Sequence, residues 1–157
     1  MIRLILLVLF IILTFNSKAQ ELDKEQFMNA WVVIVDTSNN YFDIRAKMFF
    51  LHNTLDIDVD TMNRGYDKER KIICLPVDDE DEIYAGEYYP RRYPGESLSI
   101  EHLNYYLDKG NISKNTLALV VAIETDKNKA ENTQKKVMKH FKNAFMIHSR
   151  IYIGCMH

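Results

Sequence analysis

Glycine is scarce, five in 157 residues, and none of the five stands in a phosphate-cradling loop. That excludes nucleotide binding through a glycine-rich turn. Neither a nucleophile elbow nor a His-Glu-x-x-His helix occurs, so two common hydrolase signatures are missing. Histidine is equally thin on the ground: His52, His102, His140, His148 and His157 never fall at a metal-ligand spacing from one another. Basic charge is not in excess, with 20 Lys and Arg against 22 Asp and Glu. A chain without a basic footprint is a poor candidate for nucleic acid and for anionic membranes. No metal and no cofactor is expected.

A long apolar run is also lacking. Residues 4–15 are apolar except Thr14, too short for a comfortable membrane span of about 20 residues. Preceded by Arg3 and followed by Ser17 and Ala19, this stretch has the layout of a secretory signal peptide over 1–19, cut after Ala19. The alternative is an uncleaved N-terminal anchor. The remaining 20–157 suits a single domain with its own core. Loss of Arg3 and Lys18 takes the formal charge from −2 to −4. An exported protein, periplasmic or secreted from a bacterium and not membrane-embedded after cleavage, is the expectation. With only Cys74 and Cys155, an oxidising compartment invites one disulfide between them; two buried free thiols are the other possibility.

What is present is a chain of alternating element types. Residues 30–35 (Ala-Trp-Val-Val-Ile-Val) form a continuous apolar, β-branched run, the pattern of a central strand buried on both faces. Asp36 to Asn40 then offers turn and capping side chains, and a helix is predicted over about 41–53 with Asn40 as N-cap. Ile44, Met48, Leu51 and Leu55 stripe it at helical spacing, with Phe49 and Phe50 widening the stripe. Ile57, Val59 and Thr61 alternate with Asp56, Asp58 and Asp60 as a half-buried strand, and 71–75 reads as another. A second helix is predicted over 97–109, capped by Ser99, striped by Ile100, Leu103 and Leu107, and closed by Gly110. Residues 116–123 are a second buried strand, 127–141 a charged helix, and 144–147 and 150–153 two extended pieces.

The halves align at an offset of 88 residues. Val32 to Thr37 matches Val120 to Thr125; Asp43 meets Glu131, Lys47 meets Lys135 and His52 meets His140. Two strand-helix-strand units in succession predict an α+β fold, one sheet with helices on a face, in the ferredoxin-like manner. Between the pseudo-repeats, residues 76–116 read as an insertion. Its core is Asp78-Asp79-Glu80-Asp81-Glu82, followed by Tyr84, Tyr88, Tyr89, Arg91, Arg92 and Tyr93 with Pro90 and Pro94. Tyrosine rings with polar tips stack on sugars, and paired arginines grip carboxylates. These six residues are the candidate ligand-binding set. The structural alternative has the tyrosines covering the sheet and the arginines neutralising the acids. The acidic run lacks the alternating ligands and turn glycine of a calcium loop, and reads as a solvated loop. As catalytic candidates, Asp36 and Glu124 at equivalent strand ends, with a neighbouring histidine, are outweighed by capping.

The plan of Trp31-Val32-Val33-Ile34-Val35 with its helix, and of 119–123 with the helix after it, resembles the SPOR domain, a small envelope module. The resemblance is architectural. Asp36-Thr37-Ser38 stands where SPOR domains carry a Gly-Ser-Phe-like turn, and the second half lacks a Val-Gly-Pro-Phe exit. It implies a non-enzymatic module binding peptidoglycan glycan, and it carries no ligand residue across. A protein-interaction or inhibitor module of the periplasm, using the same insertion, is the alternative partner class. An enzyme built on the strand-end acids is the third.

Overall fold

The computed structural model describes residues 26–107 and 115–154. The expected leader, Gly110 and Cys155 lie outside the described residues. Among the described residues no helix is long and apolar enough to cross a membrane.

Strand β1 (Phe27–Ser38) carries the apolar run at its centre, and Ala30 and Val32 to Val35 are at most 1% exposed. It stops where Ser38 and Asn40 take over backbone donors. The Ser38 hydroxyl accepts the Asn40 N–H, and Asn40 Oδ1 accepts the Phe42 N–H, both at 3.0 Å. Helix α1 (Tyr41–Leu55) starts there and turns its Ile44, Met48 and Leu51 inward. Phe49 and Phe50 do not widen that buried stripe: both are exposed. The connection from α1 contains β2 (Gly65–Asp67), hydrogen-bonded to β3 (Ile72–Cys74), and then the tyrosine-rich segment. Strands β4 (Gly95–His102) and β5 (Leu117–Glu124), helix α2 (Lys127–Met138) and β6 (Phe145–Tyr152) complete the chain. Asp126 caps α2 as Asn40 caps α1, accepting from the amides of Asn128 and Lys129.

The main sheet has the order β4-β5-β1-β6, with every neighbouring pair antiparallel. Helices follow β1 and β5, and both pack on one face. The result is an α+β architecture compatible with a ferredoxin-like fold. Val33, Val35, Leu119 and Val121 meet the helices through Ile44, Met48, Leu51, Ala130 and Val137. The opposite face is also a core: Ala30, Val32, Ile34, Ala118, Val120 and Ile151 pack with Leu103 and Tyr106. Both central strands are therefore buried on two sides, as their unbroken apolar runs require.

Several expectations are corrected. The helix expected over 97–109 is not formed in its described part, 97–107. Instead 95–102 is β4, followed by one 3₁₀ turn, Leu103–Tyr105. The stretch 57–61 is not a full strand. It touches the sheet by a single parallel bridge, Val59 to Leu98, where the Asp60 N–H meets the Leu98 carbonyl at 2.9 Å and the Leu98 N–H meets the Asp58 carbonyl at 2.7 Å. That short contact covers part of β4's outer edge, which would otherwise invite pairing with another chain. The last two extended pieces are one strand, β6.

Candidate functional site

The tyrosine-rich segment is the most site-like stretch of the sequence, and five of its six candidate residues are buried or half-buried. Arg91 and Arg92 are each 4% exposed. Arg91 donates to the carbonyls of Ser97 and Gly95, both at 2.6 Å, pinning the turn that enters β4. Burial lowers its pKa from the ordinary arginine value. Arg92 donates to the Gly154 carbonyl at 2.8 Å and to the Tyr89 hydroxyl, and its guanidinium also lies over the Tyr89 and Tyr93 rings. The arginines thus hold backbone carbonyls and aromatic rings, and do not neutralise Asp78 to Glu82. Tyr84 and Tyr89 are half-buried and meet edge to face with ring centres 5.1 Å apart. Tyr93 is the one member of the set that stands out, 58% exposed. The six candidates are brought near one another, yet as a structural cluster more than as an open surface.

At the centre of that cluster is a residue that no local pattern singles out. Glu101, on β4, is fully buried. Arg64 grips it with both terminal nitrogens, at 2.8 and 2.6 Å, in the parallel two-pronged geometry that suits guanidinium and carboxylate. Tyr88 donates its hydroxyl to Glu101 at 2.6 Å, and the Arg91 amide donates at 3.2 Å. Arg64 also holds the carbonyls of Thr61 and Tyr89. Burial pushes the Glu101 carboxyl up, but Arg64, Tyr88 and the Arg91 amide outweigh it and hold the pKa below the usual range. Burial likewise raises Tyr88 well above an ordinary tyrosine, with Glu101's charge adding to the shift. The network ties the loop at 61–64, the tyrosine segment and β4 into one unit.

A consequence for pH follows. A carboxyl depressed in the folded state contributes stability above its unfolded value, about 4.3 for glutamate, and loses it as pH falls through the folded value. Melting temperature is expected to drop on acidification below about pH 4.3. A Glu101→Gln protein, destabilised at neutral pH, should show a shallower acid slope. Parallel slopes in the two proteins would remove Glu101 from the account.

The strand-end acids do not form a pair. Trp31 lies opposite Glu124 and Asp36 opposite Leu119, so the antiparallel register separates them by five residues along β1. At about 3.4 Å per residue that is roughly 17 Å, too far to share a proton or a substrate atom. Asp36 instead meets Lys47 at 2.9 Å, and Lys47 also meets Asp43 at 2.8 Å. His52 ties the chain just beyond α1 back to the helix, with Nδ1 2.8 Å from the Ile57 carbonyl. Cys74 is buried on β3, its Sγ 3.4 Å from an Arg70 nitrogen, and the Cys155 expected to pair with it lies outside the described residues. Among the described residues no group of His, Cys, Asp and Glu is placed to hold a metal ion.

A cleft the sequence did not announce lies beside β6. It encloses about 540 Å³ between the segment 104–107 on one side and Phe27, His148, Arg150 and Tyr152 on the other, with Ser149 buried beneath. Its far wall is a layered stack: Arg150 sits 4.0 Å over the Phe27 ring, and Phe27 meets Tyr152 edge to face at 5.2 Å. On the near wall the Tyr105 hydroxyl is buried without a hydrogen-bond partner, and burial pushes its pKa up to about 12. The residue types were visible, but only the pairing of Phe27 with Tyr152 and the 3₁₀ turn brings them together. No family model matches the chain, and comparison with curated proteins and with solved structures finds no significant match.

Proposed function

We propose that the protein is an exported, non-enzymatic binding module that recognises cell-wall glycan in the cleft beside β6. The observation that carries this is the cleft's composition. Flat rings (Phe27, Tyr105, Tyr152) and hydrogen-bonding groups from Asn104, His148 and Arg150 together line a volume suited to one or two sugar units. Export rests on the leader-like residues 1–19. The matched halves at an offset of 88 support a duplicated scaffold, with β1-α1-β4 and β5-α2-β6 as its repeats. The tyrosine segment is then an insertion that braces the first repeat.

The test is co-sedimentation of the mature protein with sacculi, intact and stripped of stem peptides. Tyr152→Ala is expected to weaken pelleting on stripped glycan by about tenfold, equivalent to 1.4 kcal/mol. Tyr105→Phe, which keeps the ring and removes the hydroxyl, should weaken it less. Tyr93→Ala, on the exposed tip of the insertion, should leave it unchanged. Failure of the unmodified protein to pellet with either preparation would sink the glycan reading.

A further inference from the structure

Helix α1 departs from the rule that a surface helix is polar on its outer side. Its inner side buries Ile44, Met48 and Leu51, yet its outer side exposes Phe42 (54%), Phe50 (50%) and Phe49 (37%). Helix α2 of the same sheet face obeys the rule, with Lys127, Lys129, Glu131 and Lys135 around its outside. The departure is therefore specific to α1, and a cluster of exposed rings marks an interaction surface more often than a solvated one. Cations rim it: Arg45 lies 4.6 Å over the Phe49 ring and Lys68 lies 5.6 Å over Phe42. A partner matching this surface carries exposed apolar side chains next to negative charge.

The chain itself supplies such a segment. Val77 (80% exposed) and Ile83 (61% exposed) flank Asp78-Asp79-Glu80-Asp81-Glu82. A chain of contacts through the hairpin links it to the Phe42 end of α1. Phe42 packs against Tyr66 of the β2–β3 hairpin at 5.9 Å, Arg70 of that hairpin bonds Asp67, and Arg70 and Val77 both close on Gly86. Gly86 is what permits this approach, since it has φ +74 and a side chain there would press on Val77 at 3.3 Å. The hairpin thus links an aromatic, cationic surface on α1 to an aliphatic, anionic segment.

We propose that this surface binds a second copy of the chain, about a two-fold axis near the hairpin, each acidic segment seated on the partner's α1. A two-fold contact of this kind closes on itself and needs only one self-complementary patch. The charged contacts are at the surface, so added salt should weaken association.

Sedimentation velocity on the full mature chain, from micromolar to millimolar concentration and at low and high salt, tests this. A concentration-dependent monomer–dimer equilibrium is expected, loosened by salt. Arg45→Glu should weaken it by about tenfold, or 1.4 kcal/mol. Adding Glu80→Lys and Glu82→Lys to Arg45→Glu should restore it, which a merely misfolded variant would not do. Phe42→Ser with Phe50→Ser, both at exposed positions, should abolish it without changing the circular dichroism. A monomer at every concentration overturns the proposal. So does a dimer indifferent to these substitutions.

Discussion

Replacing Arg64 with methionine is expected to cost about 3–5 kcal/mol, because it strands a buried carboxylate. The Arg64 and Glu101 side chains are 1% and 0% exposed, so water cannot step in for the missing guanidinium. Glu101 would keep only the Tyr88 hydroxyl and the Arg91 amide. The Tyr89 carbonyl would lose its guanidinium donor in the same stroke, while the Thr61 carbonyl would keep only the backbone N–H of residue 64. Urea unfolding is the measurement, with an unchanged slope as the sign that the compactness of the two states has not altered. The double variant Arg64→Met with Glu101→Leu should be less damaging than the sum of its parts, since neither charge is left alone. Lys136 and Glu96, 3.0 Å apart but about two-fifths exposed, provide the contrast. Breaking that pair should cost about 1 kcal/mol or less. A loss below about 1 kcal/mol for Arg64→Met would mean that the site relaxes to admit water, against the geometry described.

That buried pair also explains where sequence reasoning failed. The run from Ser97 to Leu107 places Ile100, Leu103 and Leu107 three and four residues apart, the spacing of a helix face. Glu101 and His102 between them then look like its wet side. In the structure Glu101 is the most buried residue of that stretch together with Leu98, and its partner is 37 residues away in sequence. No local pattern encodes such a partner, so a strand buried on both faces passes for an amphipathic helix. Phe49 and Phe50 failed for the opposite reason. Apolar side chains were assigned inward by type, while the helix's turn sends both outward. The elements that were legible, β1, α1, β5 and α2, owe it to local causes: unbroken β-branched runs, and Asn40 and Asp126 capping the helices that follow them. The candidate site was legible only as residue types. The arginines and tyrosines of the insertion do cluster, but around Glu101 and Gly154, and the cleft beside β6 depends on a strand pairing no short window contains.

The second large effect is expected on the helix-free side of the sheet. Ile34→Ala should cost about 2–5 kcal/mol, as much as Leu51→Ala on the helix side. Both side chains are 0% exposed, Leu51 in the cluster beneath the helices and Ile34 in the cluster with Val120, Ile151, Leu103 and Tyr106. Removing three methylene equivalents from either loses their transfer energy and leaves a cavity the neighbours only partly fill. Equal losses would establish that the sheet is clamped between two cores. The proposed glycan cleft would then sit at the margin of a packed face, its near wall held by the same Leu103 to Leu107 segment that covers Ile34. A loss for Ile34→Ala well under that for Leu51→Ala would instead mean that the face opens in solution. In that case sugar binding and exposure of the face should rise together, and hydrogen exchange at Val32, Ile34 and Val120 on addition of glycan would separate the two. Protection unchanged by glycan fits a preformed cleft. Protection gained on binding fits a face that closes over its ligand.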